Sequence, residues 1–156
     1  MISITRVLSD LGLSGSLLLG LVTASTLTMA EPLEQPSTTP LAGLSSLRWR
    51  YRIIVVDAQI SDAVERLQAG QEAISERDIL WFVPDQRQLH TNYQGPIDAR
   101  LIAELERRYF SRSDAAVFLI GKDGGLKASA PHLDLPALFR RIDAMPMRRR
   151  EMEAAD

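Results

Sequence analysis

The chain has 156 residues, of which 46% are hydrophobic and 24% charged, a balance that suits a single globular domain and argues against wholesale disorder. A formal net charge of −2 supplies no overall field to attract nucleic acid, so no nucleic-acid partner is expected. There is no cysteine, which excludes disulfide exchange and a thiol peroxidase cycle.

Residues 1–30 read as a signal peptide. Residues 1–6 carry one positive charge, and residues 11–22 form a short apolar core, below the ~20 residues that span a bilayer. Thr28-Met29-Ala30 places small residues where cleavage requires them, so cleavage is expected after Ala30, with Ala24 as the fallback. An uncleaved anchor is the alternative, since Asp10 interrupts the front of the segment. The absence of cysteine near the cleavage region excludes a lipid-anchored lipoprotein. Residues 31–46, rich in Pro, Ser and Thr, read as a flexible linker. The expected domain covers 47–147, and 148–156 is expected as a charged tail. An exported domain without disulfides has to stand on its packed core alone.

From Leu47 the pattern alternates, with Leu47, Trp49, Tyr51 and Ile53 between Arg48, Arg50 and Arg52. It then runs into Ile53-Ile-Val-Val56, as a strand buried on both faces would. Ser61 or Asp62 caps a helix that places Ile60, Val64, Leu67 and Ile74 on one stripe, weakened at Gly70 and Gln71. Residues 79–83 read as a second buried strand stopped by Pro84-Asp85. Residues 84–97 read as a long polar loop of the kind that carries binding sites. Asp98 caps the next helix, with Leu101, Ile102, Leu105 and Tyr109 on its apolar face. Residues 115–120 make the third strand. Lys122-Asp-Gly-Gly125 then turns a hairpin into residues 126–129, and Asp134 caps a last helix with Pro136 in its first turn. The order β-α-β-α-β-β-α predicts an α/β domain with a thioredoxin-like, mixed four-stranded sheet and flanking helices. The strands that alternate with helices are expected parallel, and only the last one antiparallel.

Several segments resemble the exported bacterial family known as domain of unknown function 4174. They are Trp49 with Arg50 and Arg52 ahead of Ile53-Ile-Val-Val56, Ser75-Glu-Arg-Asp78, Phe118-Leu-Ile-Gly-Lys-Asp-Gly-Gly125, and the run from Ile142 through Met145-Pro-Met-Arg-Arg-Arg150 to Met152. The resemblance covers roughly residues 47–152. It implies a thioredoxin- or peroxiredoxin-like fold and an extracytoplasmic setting, and it brings no catalytic residues. Ser111-Arg-Ser-Asp114 stands where redox-active thioredoxins carry a cis-proline.

The turn that holds the cysteines in thioredoxins is here Asp57-Ala-Gln-Ile60. His90 and His132 lie in different loops without ligand spacing, so no metal site and no cofactor are expected. No nucleophile-elbow motif supports a Ser-His-Asp arrangement. Lys122-Asp-Gly-Gly125 lacks the spacing and following helix of a phosphate loop, and a hairpin turn accounts for it. Arg140 and Arg141 fall late in the last helix, where cations meet the negative end of its dipole. With Arg148, Arg149 and Arg150 they also make a candidate basic patch, interleaved with Met145, Met147 and Met152. Only Lys122 and Lys127 are lysines. That preference for arginine fits either anion recognition or the codon usage of a GC-rich genome.

The resulting expectation is an exported, cysteine-free binding or interaction module, periplasmic in a Gram-negative source and otherwise extracellular. Its partner would be a protein or an anionic envelope component, with membrane contact only through an uncleaved signal segment. The alternative is an enzyme with a cysteine-independent site built from Asp57, His90 or His132.

Overall fold

In a computed structural model, which describes residues 39–155 except 87 and 112, the sheet is built outward from β1 (Arg52–Val56). All five of its residues are buried. β1 lies between β2 (Ile79–Asp85), to which it is parallel with Arg52 opposite Ile79, and β4 (Val117–Ile120), to which it is antiparallel with Ile53 opposite Ile120. β3 (Gln88–Thr91) and β5 (Leu126–Ala130) flank these strands, giving the order β3-β2-β1-β4-β5. A strand with neighbours on both sides and helices on both faces has no solvent side, which is why its sequence is continuously β-branched.

Helices cover both faces. On one, α1 (Ala63–Ala69), α2 (Gln71–Ser75) and α4 (Leu135–Asp143) bring Leu67, Ile74, Leu138 and Ile142 onto Ile54, Val56, Trp81 and Leu119. On the other, α3 (Ala99–Leu105), which continues as a wider π-type turn over Glu106–Phe110, brings Leu101, Leu105 and Tyr109 onto Val55, Phe82, Phe118 and Ile120. The alternation of side chains along each strand sorts the two sets. α1 and α2 break apart at Gly70, where a Cβ would lie 3.0 Å from Leu135 Cδ1, so the glycine also allows α4 to close down. Asp98 and Asp134 cap α3 and α4 as expected, accepting from the backbone N–H groups of Arg100 and Ala137 at 2.9 Å. Asp62 stands before α1 without making such a bond.

Several expectations are corrected. The sheet has five strands, because part of the expected 84–97 loop folds back as β3, antiparallel to β2. Pro84 does not stop β2. The Trp81 N–H points to the β3 side, donating to Asn92 Oδ1, so two-residue alternation turns the nitrogen of Pro84 the other way. Pairing with β1 has already ended there, at Phe82, so no ladder bond is lost. The missed strand also explains why β4 is antiparallel to β1. β3 reverses the chain once more, and α3 then returns it to the end of the sheet where β1 finishes.

Residues 47–51 do not extend β1. Leu47 ends a 3-10 turn (Leu44–Leu47), and Trp49 takes φ +67° with its N–H bonded to Lys122 O at 2.6 Å. The packed domain starts before Leu47, because Leu41 and Leu44 are buried and Leu41 bridges to Ile97. The last part of the expected linker is therefore core. The charged tail folds from Pro146 as α5 (Pro146–Glu153). The expected signal peptide and the remainder of the linker lie outside the described residues.

Candidate functional site

Among the described residues, the densest concentration of charge sits where β1 begins and β4 ends. Arg52 opens β1 with only 1% of its surface exposed, so its cation must be partnered inside the protein. Its Nη1 donates to Arg77 O at 2.9 Å and its Nη2 to Glu151 Oε2 at 3.0 Å. Lys122, just past β4, reaches Glu151 Oε1 at 2.8 Å and Asp78 Oδ2 at 2.9 Å. Arg77 forks onto Asp143 through Nε (3.0 Å) and Nη2 (2.8 Å), the planar two-bond geometry particular to arginine. Its remaining Nη1 bonds Ala73 O and Glu76, and its guanidinium stacks 4.9 Å from the Phe139 ring. Arg148 lies 3.6 Å from Asp143 and 3.8 Å from Glu151.

Four cations thus face four carboxylates, and α5 is fastened to the end of the sheet through Glu151. The Arg77 fork holds the Asp143 carboxyl below the ordinary carboxylate range, against its partial burial. Burial pushes Glu151 upward, but the bonds from Lys122 and Arg52 outweigh it and the net direction is down. Both carboxylates therefore contribute stability that is fully present above the ordinary carboxylate value of ~4 and is lost as pH falls through their lower folded values. Urea midpoints measured from pH 7 to pH 2.5 should fall steeply below about pH 4. An Asp143→Asn, Glu151→Gln variant, already less stable at pH 7, should fall less over that interval. Parallel curves for the two proteins would remove these residues from the acid response.

The network draws its members from the segments quoted above for the family resemblance: Arg52, Arg77 and Asp78, Lys122, and Asp143, Arg148 and Glu151. Those motifs build a structural clamp of four cations and four carboxylates, in which Arg148 is the loosest member, its buried Nε making no hydrogen bond among the described residues. Sequence reasoning did not assemble it, because the charges within one segment give no hint of partners 25 to 99 residues away in another.

Arg148 was expected with Arg149 and Arg150 on a free basic patch, but the clamp engages it. Arg149 and Arg150 lie on the outer side of α5, and Arg140 and Arg141 on the outer side of α4, all four exposed. Among the described residues none of the four pairs with a carboxylate. Arg141 instead donates through Nε to Lys127 O at 3.0 Å, on the open edge of β5. Met145 packs against the core, whereas Met147 and Met152 are exposed beside the arginines.

The residues of the alternative reading are scattered. His90 is on β3 and His132 follows β5, so the two stand at opposite edges of the sheet. Asp57 follows β1, where its Oδ1 accepts from the Gln59 N–H at 2.9 Å and closes a local turn. A shallow cleft of 340 Å³ opens there, lined by Asp57, Gln59, Asp85, Glu106 and Phe110. Among the described residues no group of three or more His, Asp or Glu side chains could hold a metal ion.

Residues 43–151 match the model of the family described as a domain of unknown function, DUF4174. No curated protein and no solved structure matches the chain.

Proposed function

Because the chain belongs to the DUF4174 family, a domain of unknown function, we propose that it is an exported, thioredoxin-like binding module without thiol chemistry, which engages an acidic protein partner of the envelope through Arg140, Arg141, Arg149 and Arg150. One observation carries this reading: the arginines of α4 and α5 divide into two groups. Arg148 joins Arg52, Arg77 and Lys122 in the clamp, while Arg140, Arg141, Arg149 and Arg150 have no carboxylate partner among the described residues. The planar guanidinium fork matches a carboxylate and loses less side-chain freedom per hydrogen bond formed than a lysine would. Met147 and Met152 supply adaptable apolar contact alongside.

The thioredoxin-like assignment is supported by the inner order β2-β1-β4-β5, with β1 and β2 parallel and the other pairings antiparallel. Export is supported by the charge and apolar pattern of residues 1–30.

Crosslinking in the native compartment tests the proposal. A photoreactive residue replacing Met152 should capture a defined acidic protein. Reversing Arg140, Arg141, Arg149 and Arg150 to glutamate should lower its yield at least 10-fold in a protein that remains folded, with a modest fall in the thermal midpoint because Arg140 and Arg141 lie in the last turn of α4 and Arg141 bonds Lys127 O. Capture of the same species at the same yield by the folded reversal variant would refute it.

A further inference from the structure

We propose that the cleft between the 3-10 turn, α3 and the β4–β5 turn binds a small amphipathic monoanion, an apolar body carrying one carboxylate. The cleft measures 330 Å³, at the lower end of ligand-sized cavities (~300–1,000 Å³). Ile53 and Ile120 give it an apolar floor, Tyr51 and Tyr109 its aromatic walls, and Arg48 and Arg108 two guanidinium groups. A neighbouring cleft of 240 Å³ shares Arg108, Tyr109 and Gly124 with it and continues past Phe118 to Leu126, which is 58% exposed. Apolar walls with a few convergent charges are what a ligand with a greasy body and a polar head requires.

The charges in the wall favour an anion. Asp123 also lines the cleft, but it is taken by Lys127 Nζ at 2.6 Å and the Gly125 N–H at 3.0 Å, and those bonds hold it ionised. Glu104 lines the cleft as well and, at 3.9 Å, offsets Arg108 in part without hydrogen-bonding it, so the net positive charge of the wall rests on Arg48. Arg48 has no carboxylate partner among the described residues.

Two local features place Arg48 where it is. Trp49 adopts φ +67°, a conformation that bulky side chains avoid, and its N–H is tied to Lys122 O. Gly124, at φ +79°, lies directly beneath the arginine: a Cβ there would come within 2.9 Å of Arg48 Nε. The turn at Trp49 directs Arg48 over the β4–β5 turn, and Gly124 leaves the room it occupies there, so its guanidinium stands at the mouth of an apolar cleft. Positioning of that kind lowers the ordering cost of binding.

The test uses 1-naphthoate as probe and 1-naphthamide, of the same shape without the charge, as control, titrated into the protein by calorimetry. Naphthoate is expected to saturate at one equivalent and to bind at least 10-fold more tightly than the amide. Arg48→Ala and Arg108→Ala should each weaken naphthoate about 10-fold or more, and Gly124→Ala should do so by displacing Arg48. Both arginines are exposed, so their alanine variants should keep the wild-type thermal midpoint. Equal binding of acid and amide, absence of saturable binding, or unchanged affinity in both arginine variants would overturn the proposal. The site is independent of the α4–α5 surface. Reversal of Arg149 and Arg150 should leave naphthoate binding untouched, so either proposal can fail without the other.

Discussion

Replacing Glu151 by alanine is expected to lower the unfolding free energy by about 3 kcal/mol, the lower end of the ~3–5 kcal/mol range for removing one partner of a buried ion pair. The lower end applies because Glu151 keeps about a quarter of its side chain in water while Arg52 is almost wholly enclosed (26% and 1%). The cost comes chiefly from the cation left behind. Without Glu151, Arg52 retains one bond to Arg77 O, and Lys122 retains only Asp78. Urea denaturation at pH 7 measures the effect. Combining the change with Arg52→Met removes the stranded charge, so the double variant should be more stable than the sum of the single losses by over about 1 kcal/mol. A strictly additive result, or a loss for Glu151→Ala below about 1 kcal/mol, would show that α5 is not fastened to the sheet in this way.

Phe82→Ala should cost about 3–5 kcal/mol, as large-to-small changes in well-packed cores do. Phe82 is fully buried, stands opposite Val55 on β1 and Thr91 on β3, and packs with the α3 residues Leu101 and Leu105. It therefore joins the central strand, the added edge strand and the helix that follows it. Loss of the ring would leave a cavity beneath α3, and hydrogen exchange in β3 and α3 should accelerate more than in α4 on the opposite face. A uniform change across both faces, or a cost below about 1.5 kcal/mol, would mean that the two clusters do not pack as separate layers.

How much of this was legible beforehand differs from element to element. The buried strands announced themselves because continuous β-branched and aromatic runs such as Ile53-Ile-Val-Val56 and Leu80-Trp-Phe-Val83 suit no other setting. The caps at Asp98 and Asp134 and the turn at Lys122-Asp-Gly-Gly125 were equally plain, because each depends on bonds within a few residues. β3 was hidden: Gln88-Leu-His-Thr91 is a short polar edge strand, recognisable only by its pairing with β2. Missing it led to the wrong direction for β4. Residues 47–51 misled in the other sense. Their alternation reads as a strand, but the bond from the Trp49 N–H to Lys122 O and the positive φ of Trp49 bend them into a turn. The arginine cluster, with Arg149 and Arg150 exposed, was visible as a patch of residues, while the engagement of Arg148 was not.

The sequence by itself determined what is local or compositional: the absence of thiol chemistry, the family, the positions of the buried strands, the helix caps and the hairpin. The tertiary structure alone decided the fifth strand, the direction of β4, the folding of 146–153 as a docked helix, and which cations are spent in the clamp. The division has one physical cause. Caps, turns and burial patterns are fixed over a few residues, whereas a strand edge or an ion pair is defined by a partner as distant along the chain as Glu151 is from Arg52.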